Sequence, residues 1–141
     1  MNPIVRNIIA IIVGLLVGGA VNMGIVTFSP ALVPYPPGTD LSTPEGVAAA
    51  IPLFKPINFL MPFLAHALGT FVGALVTALI AATRKTRLAL VIGIVNLIGG
   101  ISAVYMIPAP MWFNVLDLVV AYLPMAFIAG WLATRNKGRQ A

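Results

Sequence analysis

The sequence predicts an all-α fold, a bundle of four membrane-spanning helices that forms a single integral membrane domain over residues 1–141. Hydrophobic residues make up 60% of the chain and charged residues only 8%, whereas soluble domains carry roughly 25% charged residues. Four apolar runs each approach or exceed the roughly 20 residues that a helix needs to cross a bilayer. Prolines or basic residues follow every run. We therefore predict helices over about 4–28, 57–83, 88–107 and 114–134.

The first predicted helix carries small and polar residues along one side. Gly14, Gly18 and Asn22 recur at every fourth position, and small residues at this spacing let two membrane helices approach closely. Pro30 follows the run, and we expect the helix to stop before it because proline lacks a backbone N–H.

Residues 29–56 form the Pro-rich link to the second helix. The stretch "VPYPPGTD" is unsuited to a helix, whereas "STPEGVAAAI" is typical of a short one. Ser42 and Glu45 have the spacing of a capping box, and Pro44 suits a first helical turn. We expect this short helix to lie on the membrane surface or to cap the bundle, and an ordered connector is the alternative.

The second and third helices each have one face of small and polar residues. In the second, two glycines, Thr70 and Thr77 share the side of His66, and leucines occupy the opposite side. In the third, Asn96 lies at the centre of a face of glycines and alanines. An amide near mid-membrane needs a partner on another helix, so we expect Asn96 and Thr77 to serve helix packing.

The fourth helix leaves the direction of its one acid open. At 100° per residue, Asp117 points away from the small residues Ala126 and Gly130. Pro124 lies between them, and a proline kink can change this relation.

Basic residues give the orientation. They precede the first helix, fill the segment "RKTR" and follow the fourth helix, as Arg6, Arg84, Lys85, Arg87, Arg135, Lys137 and Arg139. The link holds Lys55 beside Asp40 and Glu45. The positive-inside rule then places both termini in the cytoplasm, N-in and C-in, with the link extracytoplasmic. The net charge of +5 therefore indicates contact with the lipid bilayer and its anionic headgroups, and not with nucleic acid.

Three polar side chains fall at one predicted depth. His66 and Asp117 each lie 18 residues before the arginine that follows their run, and Asn22 lies 16 residues after the first arginine. At about 1.5 Å per residue these distances are about 27 and 24 Å, near the outer edge of a core about 30 Å thick. We predict an outward-facing polar layer in which His66 pairs with Asp117, and Asn22 and Thr70 are further partners.

This layer has two interpretations. A histidine beside a carboxylate can hold a proton, a cation or a polar ligand, and ionisable residues inside a membrane are costly enough to suggest function. In the structural alternative, Asp117 lies in the first turn of its helix, where the helix dipole stabilises an acid. His66 then hydrogen-bonds to a neighbouring carbonyl.

Several chemistries find little support. The chain has no cysteine, one histidine and three acids, too few ligands for a closed zinc site. No serine–histidine–acid trio stands at a helical spacing. We therefore predict no metal site and no catalytic residue, and an enzyme is the weakest of the functional classes. His66 remains a candidate ligand for haem or chlorophyll, although bis-histidine haem requires a second copy of the chain.

The stretches "MPFLAHALGTFVGALVTALIAA", "PAPMWFNVLDLVVAYLPMAFIAGWLA" and "PYPPGTDLSTPEG" resemble a family of small four-helix bacterial inner-membrane proteins without an assigned activity. The resemblance implies a multi-pass protein of the bacterial inner membrane and assigns no role to any residue. Two functions stay open. The first is a transport-like or ligand- and proton-binding protein. The second is an accessory subunit of a larger membrane complex, and we also expect homo-oligomers.

Overall fold

A computed structural model describes residues 1–135, which contain helices and no strand. The helices are α1 (Pro3–Leu32), α2 (Pro44–Ala50), α3 (Leu60–Ile80), α4 (Lys85–Met106), α5 (Met111–Val120) and α6 (Leu123–Arg135), with 3-10 turns at Ile51–Leu53 and Pro56–Phe59. Four spans are long and apolar enough to cross a bilayer, namely Pro3–Leu32, Pro56–Ile80, Lys85–Met106 and Met111–Arg135. The all-α prediction with four such helices is confirmed, and the spans indicate a multi-pass membrane protein.

The first helix runs further than predicted, through Pro30 to Leu32. A proline at this position leaves the carbonyl of Val26 without its usual N–H donor. The Ser29 hydroxyl donates to that carbonyl at 2.9 Å and replaces the missing bond. The expectation that Pro30 ends the helix is therefore wrong, because a neighbouring side chain satisfies the backbone.

The centre of the bundle is α3. It packs against α1 on one side and against α4 and α6 on the other, while α1 and α4 have few contacts with each other. Glycines let α1 and α3 meet backbone to backbone. A Cβ atom on Gly18 would lie 2.6 Å from the Gly69 carbonyl oxygen, and one on Gly73 would lie 2.7 Å from that of Gly14. The predicted small-residue faces are thus the faces that pack.

The core between α3, α4 and α6 is also built from small side chains. Ala78, Ala89 and Ala126 are fully buried, and Ile92 is 1% exposed. Large hydrophobic side chains point outward instead, for example Leu16 at 68% exposure. Lipid solvates such side chains, so the distribution fits a bundle whose solvent is the bilayer.

The fourth span is broken where the sequence predicted one helix. α5 ends at Val120 and α6 begins at Leu123, since Pro124 offers no N–H to continue the hydrogen-bond ladder. The break settles the facing of Asp117. It is 5% exposed, while Ala126 on α6 is also buried, so both face the bundle.

The short helix of the link is present as α2, but its cap differs from the prediction. Thr43 accepts a hydrogen bond from the Gly46 amide at 3.1 Å and is the N-cap residue. Ser42 instead donates its hydroxyl to Asp40 at 2.6 Å. Hydrogen bonds from the Ser42 hydroxyl and amide lower the pKa of Asp40, because they stabilise its charged form.

One end of the bundle carries most of the positive charge, and we call it the basic end. Of the six lysines and arginines within residues 1–135, all but Lys55 lie there. Arg6 donates to the Ile80 carbonyl at 2.6 Å, and Lys85 donates to that of Ala78 at 2.8 Å. The segment "RKTR" is not a free link, because α4 already begins at Lys85. The predicted positions Lys137 and Arg139 lie outside the described residues.

Candidate functional site

The predicted histidine and acid meet in the half of the bundle nearer the link. His66 on α3 places its Nδ1 atom 2.9 Å from Oδ1 and 3.0 Å from Oδ2 of Asp117 on α5. When Asp117 is ionised, its carboxylate only accepts hydrogen bonds, and Nδ1 is then the donor. The side chain of Asp117 is 7% exposed and that of His66 is 30% exposed. The carboxylate of the pair is therefore buried, and part of the His66 ring is exposed.

Tyr122 completes this arrangement and was not predicted. Its hydroxyl donates to Oδ2 of Asp117 at 2.8 Å, and its ring stacks near that of His66 with centroids 5.8 Å apart. In an unbroken helix, residues five apart point about 140° away from each other. The break between α5 and α6 brings Asp117 and Tyr122 together. The signal that could have found Tyr122 is its position two residues before Pro124.

The structural alternative for the two residues is wrong in its details. Asp117 is the seventh residue of α5 and lies beyond the first turn, where the helix dipole acts. His66 contacts the carboxylate and not a neighbouring backbone carbonyl. Within the described residues, His66 thus depends on Asp117 for its hydrogen bond, whereas Asp117 also accepts one from Tyr122.

A polar cleft opens between α1 and α4, with α3 as its floor. We call it the α1–α4 cleft. It has a volume of about 260 Å³, and its walls include Asn22, His66, Thr70, Asn96 and Tyr122. Asn96 donates its amide to the Thr70 hydroxyl at 2.9 Å, which joins α4 to α3. Three of the four predicted ligand-binding candidates thus line one cleft, whereas Asp117 is not among its wall residues.

The hydrogen-bond partners of Thr70, Thr77 and Asn96 differ in part from the prediction. Thr70 binds Asn96 and makes no hydrogen bond to the His66–Asp117 pair. Thr77, predicted for helix packing, donates to the carbonyls of Gly73 at 2.9 Å and Ala10 at 3.2 Å, so it ties α3 to α1. Asn96 makes the interhelical contact expected of it, but it also lines the α1–α4 cleft.

Polar atoms in this cleft keep open hydrogen-bonding capacity. Within residues 1–135, no buried side-chain nitrogen or oxygen lacks a partner. Nε2 of His66 makes no hydrogen bond to the described protein, and neither does the amide of Asn22. These atoms therefore retain access to open space. In an apolar bilayer such groups favour water or a polar ligand as a partner.

A second, smaller cavity lies under the link, and we call it the link-side cavity. Its volume is about 170 Å³. Both His66 and Asp117 form part of its wall, and the remaining wall is mainly apolar. Val47, Ile51 and Phe54 of the link cover it. His66 thus lines both cavities, whereas Asp117 lines only the link-side cavity.

The cavities do not fit a haem or chlorophyll within one chain. Pockets for drug-sized ligands measure roughly 300–1,000 Å³, and a tetrapyrrole is at least as large as such ligands. The α1–α4 cleft and the link-side cavity, at about 260 and 170 Å³, are both smaller. Nδ1 of His66 is also engaged by Asp117, so only Nε2 is left for an iron or magnesium ion.

Comparisons of the chain with protein-family models, curated proteins and solved structures gave no match. The resemblance to small four-helix bacterial inner-membrane proteins therefore stays a prediction.

Proposed function

We propose that this small polytopic membrane protein binds a proton and a small ligand at the His66–Asp117 pair, in a transport-like role. One observation carries the proposal. The pair is the meeting point of two cavities, since His66 lines both of them and Asp117 lines one. An ionisable pair inside membrane-spanning helices is costly to insert, and a packing role alone requires no cavity beside it.

The chemistry of the pair suits reversible proton binding. A doubly protonated His66 ring and an ionised Asp117 together have no net charge. When Nε2 loses its proton, the pair carries a charge of −1. Tyr122 donates to the same carboxylate and holds it in place in both states. Nδ1 keeps its hydrogen bond to the carboxylate in both states. The exchanged proton therefore binds to and leaves from Nε2, which retains access to open space.

Tight packing in the half of the bundle nearer the basic end favours ligand binding over free conduction through the bundle. Ala10, Thr77 and Ala78 are each fully buried there, and Thr77 is held by two carbonyls. This packing leaves no polar path continuing from the α1–α4 cleft between α1 and α3. The protein then handles its ligand from one side in the described conformation, and transport requires the helices to rearrange.

The proposed setting is the bacterial inner membrane, with both termini in the cytoplasm and the link outside. The clustering of cations at the basic end supports this orientation. Because the chain has no cysteine, single cysteines at Thr39 and Thr83 can be labelled in intact cells with an impermeant thiol reagent. We expect labelling at Thr39→Cys only. Labelling at Thr83→Cys alone contradicts the orientation.

The role of accessory subunit remains the alternative, with a homo-oligomer as a further prediction. Purification from the native membrane in mild detergent tests both. Co-purifying chains in fixed ratio support a parent complex, and visible absorption supports a pigment. A single species containing only this chain supports an independent protein.

The direct test of the site uses the only histidine of the chain. Protein with ¹⁵N-labelled histidine, freed of any affinity tag, gives one pair of ring signals in nanodiscs. We expect these signals to show reversible binding of one proton as the pH is changed, and this response to differ in Asp117→Asn. Ring signals that do not respond to pH contradict the proposal.

A further inference from the structure

The link-side cavity has the size and walls of a site for one aromatic ring. Its volume of about 170 Å³ is close to that of a ~150 Å³ apolar cavity that holds benzene. Phe54, Phe59 and Phe113 contribute to the wall. The rings of Phe59 and Phe113 lie 4.9 Å apart between centroids, so the aromatic surface is continuous.

Among the described residues, only the His66–Asp117 pair can give this cavity a charge. The wall residues from the link, from α4 and from the start of α3 are uncharged, and Asn114 is the other polar residue from α5. Tyr122 donates to Asp117 from the far side, and within residues 1–135 it is the one further titratable group in contact with the pair. When the pair loses its proton, the carboxylate therefore has no cation from the described cavity wall beside it.

We propose that the link-side cavity binds a small hydrophobic ammonium ion in exchange for the proton of the His66–Asp117 pair. This inference rests on the proposed function and names its ligand class. The ammonium group takes the place of the protonated imidazole beside the Asp117 carboxylate, and one proton leaves His66 for the solvent, so the net charge of the loaded site stays zero. Aromatic faces around the cavity add cation–π attraction. An anionic ligand meets the Asp117 carboxylate. A neutral loaded site then requires an additional proton on the pair, because the described cavity wall offers no cation besides His66.

The test compares three probes with the same ring and different charge, namely benzylammonium, benzyl alcohol and benzoate. Binding is measured by titration calorimetry on the full chain in zwitterionic nanodiscs, with protein-free nanodiscs subtracted for partition into lipid. We expect benzylammonium to bind tightest. Because one proton competes with it, its affinity should rise about tenfold per pH unit where the pair is protonated. Buffers of different ionisation enthalpy should report the release of one proton.

Two variants keep the inference falsifiable. Asp117→Asn should lower benzylammonium affinity at least tenfold, while benzyl alcohol binds the variant and wild type alike. Val104→Phe should fill the cavity, because Val104 lines it and is absent from the walls of the α1–α4 cleft. It should abolish benzylammonium binding and leave the His66 ring titration in place.

The outcomes separate the two proposals. Benzylammonium affinity that is equal in wild type and Asp117→Asn overturns the inference, as does tighter binding of benzoate. If His66 titrates and no ammonium probe binds, the ligand class is wrong and the proton site stands. If His66 does not titrate, the proposed function itself is wrong. Should Asp117→Asn fail to fold, Val104→Phe decides, and unchanged benzylammonium binding in that variant overturns the inference.

Discussion

Breaking the His66–Asp117 contact should reveal a direct energetic coupling between α3 and α5. We consider Asp117→Asn, His66→Gln and the double variant, which keep side-chain size approximately constant. Breaking one partner of a fully buried pair costs about 3–5 kcal/mol, and exposed pairs contribute only about 0–1 kcal/mol. Here the carboxylate is 7% exposed and the imidazole 30%, at distances of 2.9 and 3.0 Å. We therefore expect a coupling energy of about 1–3 kcal/mol, which is within the range for contacting residues.

The assay is the free energy of unfolding of all four proteins in bicelles, measured by steric trapping. The coupling energy is the difference between the loss of unfolding free energy in the double variant and the sum of the losses in the two single variants. Ser102→Ala combined with Asp117→Asn is the control, because Ser102 is exposed and bonds only within α4, to the Ile98 carbonyl. That control should be additive within about 0.5 kcal/mol. A His66–Asp117 coupling within the same margin of zero refutes the reasoning.

Three further predictions concern packing, polar contacts and the link. Gly73→Ala should cost about 1–3 kcal/mol of unfolding free energy, because its Cβ would press on the α1 backbone. The control is Gly19→Ala, whose Cβ meets nothing within 4 Å and which should leave the unfolding free energy unchanged. Equal losses in the two variants would contradict this packing. Asn96→Leu should lose about 0.5–1.5 kcal/mol with its interhelical hydrogen bond, measured in the same bicelles, and an unchanged value would contradict that role. Thr43→Ala should lower the opening free energy of the first-turn amides of α2 by about 1 kcal/mol in hydrogen exchange, more than Ser42→Ala does, and the reverse order would restore Ser42 as the cap.

The sequence predicted most of the features that depend on amino-acid composition and on the helical periodicity of small and polar residues. Lipid as solvent follows from the scarcity of charge, and the packing faces of α3 follow from its small residues, because these alone let helix backbones approach. The level shared by His66 and Asp117 followed from counting residues along helices of constant rise. Each of these properties belongs to one helix at a time, and it is therefore encoded in the local sequence.

Features that depend on one side-chain rotamer or on two segments were missed. Pro30 looked like a helix end, because the bond that it removes is replaced by the Ser29 hydroxyl in one particular rotamer. Tyr122 was missed because its contact with Asp117 exists only where α5 and α6 break. Thr70 was assigned to the wrong partner, since its position relative to Asn96 depends on how α4 crosses α3. Backbone breaks and helix crossings are tertiary quantities that a periodic pattern does not contain.

The most direct test of the account measures the pair itself in a lipid bilayer. Solid-state NMR dipolar recoupling between the ¹⁵N-labelled ring of the single histidine and the ¹³C-labelled carboxyl of Asp117 reports their separation. Asp40→Asn removes signal overlap from the aspartate of the link. The account predicts a strong coupling from Nδ1, in keeping with its 2.9 Å contact to Oδ1, and a weaker one from Nε2. No detectable coupling from either ring nitrogen would contradict a paired site in this bundle.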